Sequence, residues 1–542
     1  MNGLAIGNRN VADIILHQLR LWGVKRIYGV TGDAIFGFMD GISRQDDLEW
    51  IGVKHESAAA MMASAESKLT GRIGVCAAQM GPGLTNLMTG LGDAYLDGVP
   101  ILAITGQAAV AKIGTPTKQL IDQQGLVQSI TGISRIVIHP GAVVEALSQA
   151  QLTAVQQCTP VHLSIPSDLW TLPCPAEPRT PVHIEHPVAG RSTIRQAVNL
   201  MLTAKRPMIL VGNRAKTAGD AIQKLADSWG SGIVMSYGVK GIITDTHPYQ
   251  LGGLGEGGNP FLSALFKVSD VVLAIGSSWW PENSVPNQAQ VIQIEERTSA
   301  IGQVIPALLG IVGDPAETIR TLTESLAEYR QNPEWLQRVS KCKQEWNAQN
   351  DRECTSFSSP LHPSSIVRVI EQTIDNDAII ALDVGDVTLW FLRNFRGTRQ
   401  QLVLSERWRT MGFGLPAAMA AKRSYPNRQV VCVTGDGGLG MVQADLITAS
   451  RYGIPITVVV FNNGTLQMER DKMTMKNLRP FETDISNPNF VQIAEASGWT
   501  ARRADTHDQL RAALNEAKTF SKPCLIDVPT AAIPHPDFQI DY

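Results

Sequence analysis

The sequence predicts an α/β protein that is built from three doubly wound, parallel-sheet domains. Short apolar runs alternate along the chain with segments of helical spacing, and two polar or proline-rich segments interrupt this alternation. Strands that alternate with helices form parallel sheets with helices on both faces. The 542 residues also exceed what one hydrophobic core usually organises. A single extended sheet is the alternative, which the two interruptions disfavour.

The first predicted domain covers residues 1–175 and contains strand–helix–strand units. Apolar residues follow helical spacing over 11–22, and Gly23 is placed to end that helix. The turn Gly81-Pro82-Gly83 introduces another helix, at 84–95, which lies between two apolar runs. The predicted strands of this domain are RIYGV, IGVCAA and VPILAIT.

Two linkers separate the remaining domains. The segment Pro173–Pro187 is rich in proline and predicts a linker to a central domain at 188–340. A polar stretch at 347–359 predicts a second linker, after which the C-terminal domain covers 360–542. The predicted strands are PMILVG, GIVMS, DVVLAIG and VIQI in the central domain, and AIIALDVG, QVVCVTGDGG, PITVVVFNN and PCLIDVP in the C-terminal domain.

Composition and charge exclude several classes of function. The net charge of -3 offers no basic excess for nucleic acid and no polybasic segment for a membrane surface. No apolar run reaches the length of about 18 residues that a membrane-spanning helix needs. The first ten residues lack the features of a signal peptide, and the seven cysteines form no CxxC pair. We therefore expect a cytoplasmic protein with reduced cysteines.

Two short motifs at the ends of apolar strands predict a metal and phosphate site. Gly435-Asp436-Gly437-Gly438 follows the run VVCVT, and Asn463 lies 27 residues after Asp436 at the end of the next run. Open α/β sheets bind ligands at the carboxyl ends of their strands. Asp and Asn oxygens suit Mg²⁺, and glycines let backbone N–H groups approach a diphosphate. A Gly-Asp-Gly turn alone is common, so the prediction depends on the pair of motifs.

The two motifs resemble the cofactor site of thiamine-diphosphate-dependent enzymes. The resemblance extends over nearly the whole chain and is closest to the pyruvate oxidase and acetolactate synthase branch, above all to pyruvate oxidase. It rests on HESAAAMMASAESKLTGRIGVC, GPGLTNLMTGLGDAYLDGVPILAITGQ, ALDVGD and TMGFGLPAAMAA. It implies that Asp436 and Asn463, through side chains, and Thr465, through its carbonyl, bind Mg²⁺. The residues that it implies for thiamine diphosphate are Glu56, Gly385, Asp386, Arg409, Met411, Asp436, Gly437, Gly438, Asn463, Thr465 and Leu466.

Glu56 is the candidate that would activate the cofactor. It precedes an apolar helical segment, so one interpretation is that it only complements the helix dipole. The resemblance implies that Glu56 hydrogen-bonds the cofactor's aminopyrimidine across a subunit interface and shifts its proton. Met411 matches the apolar residue that bends the cofactor. We therefore expect a homodimer or homotetramer with active sites between subunits.

The chain departs from the family where the substrate pocket is expected. Lys118-Gln119, both candidate catalytic residues, replace a Phe-Gln pair, and Arg407, Arg409 and Lys472 stand where cations are unusual. One interpretation is that these cations point outward and aid solubility. The other is a pocket for an anionic partner, such as a dicarboxylic 2-oxo acid, a phosphorylated sugar or inorganic phosphate, selected by charge-assisted hydrogen bonds.

The central domain resembles the FAD-binding domain of pyruvate oxidase. Strands that end in glycine, with acidic residues nearby, suit a ribose and a diphosphate. The loop at 251–260 lacks an expected arginine, and the acidic pattern at 295–297 is irregular. Some relatives keep this domain without flavin or with ADP, and FAD is the favoured prediction. Its candidate residues are Gly212, Gly276, Glu295 and Asp314.

The resemblance implies that the protein decarboxylates a 2-oxo acid, pyruvate or a near relative, with oxidation or carboligation of the enamine. The open acceptors are FAD with oxygen or a quinone, a second carbonyl as in acetolactate synthase, or a proton as in a simple decarboxylase. The sequence stops at Tyr542 without an amphipathic tail, which disfavours a membrane-activated, quinone-linked oxidase. A non-catalytic homologue is the remote alternative, which the presence of Glu56, Asp436 and Asn463 opposes.

Overall fold

The computed structural model describes residues 9–182, 185–277, 279–281, 286, 288–356 and 358–538. Its strands form three sheets that follow one another along the chain, and all the paired strands are parallel. The prediction of three parallel-sheet α/β domains is confirmed, while the limits set for them stay predictions. The strands are β1 (Arg26–Gly29), β2 (Glu49–Gly52), β3 (Gly74–Ala78), β4 (Ile101–Gln107), β5 (Ser134–Ile136) and β6 (Pro160–Pro166) in the first sheet, β7 (Pro207–Val211), β8 (Gly232–Met235), β9 (Val271–Ile275), β10 (Gln290–Glu295) and β11 (Leu309–Val312) in the second, and β12 (Ile379–Leu382), β13 (Gln401–Val403), β14 (Val430–Gly435), β15 (Thr457–Asn462), β16 (Thr500–Arg503) and β17 (Cys524–Pro529) in the third.

The first and third sheets share one strand order. The first runs β2-β1-β3-β4-β6-β5, and the third runs β13-β12-β14-β15-β17-β16. The second sheet runs β11-β10-β9-β7-β8. In each sheet the winding reverses at an inner pair of strands, and in the first and third sheets it reverses again at the edge strands β5 and β16. The loops at the carboxyl ends of the inner pair diverge to leave a crevice. These crevices lie between β1 and β3, between β7 and β9, and between β12 and β14.

The helices cover both faces of the sheets. The first helix agrees with the prediction from helical periodicity, because it ends at Leu21 and Gly23 follows with a positive φ of 78°. None of the described helices is long and apolar enough to cross a membrane, and the cytoplasmic location stays a prediction. The helices are α1 (Val11–Leu21), α2 (Phe36–Ser43), α3 (Glu56–Thr70), α4 (Pro82–Asp97), α5 (Gln123–Val127), α6 (Val143–Gln157), α7 (Arg191–Leu202), α8 (Gly219–Trp229), α9 (Leu262–Lys267), α10 (Pro315–Ser325), α11 (Pro333–Cys354), α12 (Pro363–Thr373), α13 (Asp386–Asn394), α14 (Gly414–Ser424), α15 (Asp436–Val442), α16 (Leu446–Arg451), α17 (Gln467–Met475), α18 (Phe490–Ala496) and α19 (His507–Ala517).

The polar segment at 347–359, which was predicted to be a linker, is helical up to Cys354, because α11 continues to that residue. The buried residues of α11 recur every three or four positions, from Trp335 and Val339 to Trp346 and Asn350. This spacing keeps one face of the helix against the protein while its many polar residues face outward. Polar composition therefore marks the exposed face of a helix here, and not the end of the helix.

A continuous apolar core joins the first and third domains. Helix α3 is rich in Ala and Met, and nearly all of these side chains are buried. It packs between α4 of its own domain and α14 of the C-terminal domain. Small side chains permit this close approach: a Cβ on Gly90 of α4 would lie 2.5 Å from the Cβ of Ala60.

A buried lysine links all three domains. The Nζ of Lys68 lies 2.7 Å from the carboxylates of Asp93 and Asp97, and 2.9 Å from the carbonyl oxygen of Leu404 in the C-terminal domain. Burial acts to lower the pKa of Lys68, but the two carboxylates raise it above its ordinary value. Lys216 of the central domain donates to the carbonyl oxygen of Lys68 at 3.2 Å. The charge of Lys68 therefore compensates two buried acids where three domains meet.

We expect Lys68→Met to destabilise the protein by about 3–5 kcal/mol, because it leaves Asp93 and Asp97 buried without their cation. The measurement is chemical denaturation followed by fluorescence and by circular dichroism, since a three-domain chain need not unfold in two states. Lys522→Met, at an exposed position, is the matched control. Equal denaturation midpoints for Lys68→Met and the control would contradict this account of the network.

Candidate active site

The carboxyl ends of β12, β14 and β15 meet in one cleft at the crevice of the third sheet. Asp386 begins α13 after β12, and Asp436 begins α15 after β14. Asn463 directly follows β15, whose Phe461 pairs with Gly435 of β14. The structure thus brings together most of the residues predicted for the cofactor and metal. Those that line the cleft are Gly385, Asp386, Met411, Asp436, Gly437, Gly438, Asn463, Thr465 and Leu466.

Asp436 is held in place by donors on both of its oxygens. The residue is 3% exposed; its Oδ1 accepts from the N–H of Gly437, and its Oδ2 accepts from the N–H of Gly464 at 2.6 Å and from Nδ2 of Asn487 at 2.7 Å. Burial raises its pKa, and these hydrogen bonds act in the opposite direction. A buried carboxylate with neutral donors only is suited to gain a cation as its counter-charge.

The oxygen donors in the cleft fit a hard divalent cation. Asp436 supplies a carboxylate, Asn463 supplies a side-chain amide oxygen, and Thr465 supplies a backbone carbonyl within the same lining. The amide oxygen of Asn463 accepts from the N–H of Thr465 at 3.2 Å, which orients the two residues together. All three are the ligand types that Mg²⁺ prefers, so the residues present fit the predicted metal.

Two glycines leave backbone exposed where side chains would not fit. A Cβ on Gly438 would lie 2.7 Å from Oδ2 of Asp383, and one on Gly437 would lie 3.0 Å from Leu466 and 3.2 Å from Met411. The backbone of this turn can therefore contact a ligand directly, as a diphosphate requires. Met411 and Leu466 lie beside Gly437 and form an apolar wall of the cleft. The cleft thus offers both polar and apolar contacts, which fits a diphosphate joined to an organic ring.

Sequence reasoning missed two residues that shape this cleft. Asp383 is fully buried at the end of β12, where its carboxylate accepts from the N–H of Gly412 at 2.9 Å and from the hydroxyl of Thr434 at 2.7 Å. Burial raises its pKa. Its position at the start of the DVGD motif could have identified it. Asn487 lies 51 residues after Asp436 in a loop, and no local pattern pointed to it.

Glu56 lies outside this cleft in its own chain. It is the first residue of α3 and is 8% exposed, and its Oε2 accepts from Nδ2 of Asn86 at 2.9 Å. Asn86 had not been singled out from the sequence. The N–H of Lys54 donates to Asp445 of the C-terminal domain at 2.8 Å, which fixes the start of α3 beside the turn after α15. All the described residues that line the cleft belong to the segment from Val384 to Thr530.

Lys118 and Gln119 occupy an exposed polar cluster in the first domain. The Nζ of Lys118 lies 3.2 Å from Oδ2 of Asp33, and the lysine side chain is 74% exposed. The hydrogen bond from Lys118 lowers the pKa of Asp33. Gln119 takes a positive φ of 63° and accepts from Nε2 of Gln79 at 3.0 Å. Neither Lys118 nor Gln119 lines the cleft of Asp436 in its own chain.

The three other unusual cations are also placed outside the cleft. Arg409, at a φ of 53°, donates to Oε2 of Glu256 at 2.9 Å and lines a separate cavity of about 450 Å³. Arg407 donates to the carbonyl oxygen of Leu96 at 3.2 Å. The ammonium of Lys472 lies 5.7 Å from the ring centroid of Phe538. Of the predicted cofactor residues after position 384, Arg409 is therefore the one that the cleft does not include.

The residues predicted for FAD border two cavities at the central sheet. Gly212 lines the cavity of about 450 Å³, and Asp314 lines a larger one of about 1250 Å³. Glu295 is fully buried, and both of its oxygens accept from Arg214, at 2.5 and 2.8 Å. Arg214 lines the larger cavity, so Glu295 orients a cation toward it. Gly276 has a φ of 57° and permits a close approach to the loop after β7.

Comparison with known families covers all three domains. Residues 9–126 match the description "Thiamine pyrophosphate enzyme, N-terminal TPP binding domain", residues 194–322 match "central domain", and residues 383–528 match "C-terminal TPP binding domain". Thiamine pyrophosphate is another name for thiamine diphosphate. The C-terminal match includes every residue that lines the cleft except Thr530.

Individual relatives match over almost the full length of the chain. The "Putative thiamine pyrophosphate-containing protein YdaP" of Bacillus subtilis (strain 168) is 33% identical over 531 residues, which cover 96% of this chain and 92% of YdaP. Pyruvate oxidase of Lactiplantibacillus plantarum is 29% identical, over 95% of this chain and 87% of that enzyme. Acetolactate synthase isozyme 1 large subunit of Escherichia coli is 28% identical, over 95% of this chain and 93% of that subunit. With three matching domains and these relatives, the chain belongs to the thiamine pyrophosphate enzyme family, among the relatives of pyruvate oxidase and acetolactate synthase.

Proposed function

We propose that this protein decarboxylates a 2-oxo acid, pyruvate or a near relative, and passes the remaining acyl unit to an acceptor, as a pyruvate oxidase-like enzyme. The observation that carries the proposal is the cleft at the switch point of the third sheet, which combines Asp436, Asn463 and Thr465 with exposed glycine backbone. Bound thiamine diphosphate would supply the carbon nucleophile and the sink for the electron pair released with carbon dioxide. The protein supplies binding, orientation and proton transfer.

The residues of the cleft divide into two binding roles. Asp436, Asn463 and Thr465 would hold Mg²⁺, and the metal would neutralise the diphosphate that the backbone of Gly437 and Gly438 approaches. Met411 and Leu466 would support the organic rings of the cofactor and exclude water from the part of the cleft that they line. Exclusion of water strengthens the electrostatic effect of every charged group that remains inside.

Glu56 would move the proton that activates the cofactor. Among the described residues, Asn86 donates to Oε2 and no side chain donates to Oε1, so Oε1 would be available to share a proton with a ring nitrogen. The side chain is 8% exposed, so the cofactor ring would meet this carboxyl group in surroundings that largely exclude water. Because Glu56 is absent from the cleft of its own chain, we propose that the partner subunit of a homodimer or homotetramer supplies it.

The acceptor depends on whether FAD binds in the central domain. The two cavities and the orientation of Arg214 by Glu295 support a nucleotide there. The loop at 251–260 lacks its own arginine, but Arg409 reaches Glu256 of that loop from the C-terminal domain. We propose that FAD accepts two electrons from the acyl unit, which then leaves as an acid formed with water, and that oxygen or a quinone reoxidises the flavin. The protein would then be an oxidase. Carboligation, as in acetolactate synthase, is the second candidate, favoured by the relatives of that name.

The substrate is proposed to be pyruvate or a similarly small monocarboxylic 2-oxo acid. The hypothesis of an anionic partner depended above all on Lys118, whose charge is paired with Asp33 at the surface of its own chain. An exposed ion pair offers little net charge to attract a second carboxylate. The paired lysine therefore supports the interpretation in which this cation does not select the substrate.

A panel of 2-oxo acids with thiamine diphosphate and Mg²⁺ tests the reaction. We expect carbon dioxide release to be fastest with pyruvate or 2-oxobutyrate and slow with 2-oxoglutarate, because Lys118 is already paired. Product masses distinguish oxidation, carboligation and simple decarboxylation, and the visible absorbance spectrum of the purified protein reports flavin. Asp436→Ala, which removes a metal ligand, is the inactive control. Cofactor-loaded protein that releases no carbon dioxide from any 2-oxo acid would contradict the proposed function.

Mixed oligomers test whether each site is shared between subunits. Glu56→Gln and Asp436→Ala chains should each be inactive alone, the first through loss of the proton relay and the second through loss of the metal. If Glu56 serves the partner's cleft, a hetero-dimer purified with two different tags contains one intact site and should recover about half of the wild-type turnover. Verified hetero-oligomers without activity would place Glu56 and Asp436 in the same chain's site.

A further inference from the structure

Asp386 is an acidic residue in a cleft that is proposed to bind a polyanion. It begins α13, lines the cleft together with Gly437 and Asn463, and has no ion-pair partner among the described residues. Its Oδ1 is buried and has no hydrogen-bond partner in the part of the chain that the structure describes. An ionised carboxylate in this position would repel a diphosphate, and a buried polar atom without a partner is costly. The carboxyl group of Asp386 must therefore be in a state other than the ionised one when a diphosphate binds.

The groups that surround Asp386 make its ionised form unfavourable. Asp471 of α17 is 4% exposed, and its two oxygens accept from Nε2 of Gln467 at 2.6 Å and from the N–H of His535 at 2.9 Å. Two more acids, Asp436 and Glu469, line the same cleft. His535 offers no counter-charge, because burial and then Arg393 lower its pKa to about 3. The nearby cations Arg470 and Arg393 are paired with other acids.

Burial, followed by the charge of Asp471, raises the pKa of Asp386 to about 8. The indole N–H of Trp390 acts in the opposite direction without outweighing them. Of these two neighbouring acids, Asp471 accepts from two donors, whereas no described residue donates to Oδ1 of Asp386. The negative charge is therefore better placed on Asp471, and the proton on Asp386.

We propose that Asp386 binds the diphosphate of the cofactor as a neutral carboxylic acid that donates a hydrogen bond, so that cofactor binding depends on the protonation of this side chain. A protonated carboxyl group has one O–H donor, which a phosphate oxygen can accept, whereas an ionised one can only accept. The inference rests on the proposed function, since it takes the cleft as the diphosphate site.

The sign of the pH dependence follows from linkage. Only the protonated carboxyl group can donate the hydrogen bond to a phosphate oxygen, so a bound diphosphate raises the pKa of Asp386 above its value in the free protein. The bound state then holds the proton more tightly than the free state. Cofactor affinity is therefore constant below about pH 8 and falls as the pH rises above it, by up to tenfold per unit.

Calorimetric titration with thiamine diphosphate at saturating Mg²⁺, at pH 7.0 and pH 9.0, tests the inference. We expect wild-type affinity to fall by about tenfold between the two pH values and binding at the higher pH to take up a proton, detected with two buffers of different ionisation enthalpy. Asp386→Asn keeps the shape of the side chain and an N–H donor but cannot ionise. The cofactor affinity of this variant should therefore differ by less than about twofold between the two pH values. A fall of equal size in both proteins would overturn the inference.

Asp471→Asn provides a second test with a counterintuitive sign. Removing this negative charge lowers the pKa of Asp386, so Asp386 should ionise at a lower pH and the loss of affinity should begin nearer to neutral pH. Asp386→Asn combined with Asp471→Asn should lose this dependence. An onset that does not move would contradict the role given to Asp471.

Asp436→Ala separates this inference from the proposed function. If Asp436→Ala loses binding but Asp386→Asn keeps the wild-type pH dependence, the cofactor site is right and the role of Asp386 is wrong. If Asp436→Ala binds as tightly as the wild type, the cleft is not the cofactor site and both proposals fail.

Discussion

The arrangement of the domains depends on the ion pairs that the ammonium group of Lys68 forms with Asp93 and Asp97. The ammonium group compensates the negative charge of both acids. Asp97 also accepts hydrogen bonds from the backbone N–H groups of Glu406 and Arg407, at 3.0 and 2.9 Å. A buried acid therefore fixes the backbone of a segment from another domain. That segment continues directly to Met411 and Gly412, which reach the cleft and the carboxylate of Asp383. The position of the apolar wall in the cleft thus follows from an ion network in a different domain.

The third sheet concentrates acidic residues at the carboxyl ends of its strands. Burial raises the pKa of Asp383, Asp386, Asp436 and Asp471, and neutral donors satisfy three of the four. Such a site is unfavourable by itself, because unpaired charges are costly to bury. A divalent cation and a proton on Asp386 would reduce this negative charge, so that an anionic diphosphate can bind. The same excess of acid that costs stability gives the cleft its affinity for metal and its proposed pH dependence.

Much of the candidate site could be predicted from the sequence, because its residues follow strand ends directly. Asp436 and Asn463 meet for the local reason that parallel strands place their carboxyl ends at one edge. Residues brought in by tertiary contacts could not be predicted in this way: Asn487 comes from a distant loop, and Asp33 pairs with Lys118 from another turn. Composition also misled at α11, where polar residues continue an exposed helical face. The separation of Glu56 from the cleft is a property of domain packing, which local patterns do not predict and which the family resemblance alone implied.

The central claim is that Glu56 activates thiamine diphosphate that is bound at the Asp436 cleft. The most direct measurement is the rate at which the C2 proton of the bound cofactor exchanges with deuterium, followed by quenched-flow NMR in the wild type and in Glu56→Gln. The account predicts that exchange slows by about 10²–10⁴-fold in the variant while cofactor affinity is largely kept, because only the proton relay is removed. Equal exchange rates in the two proteins, with the cofactor bound in both, would contradict it.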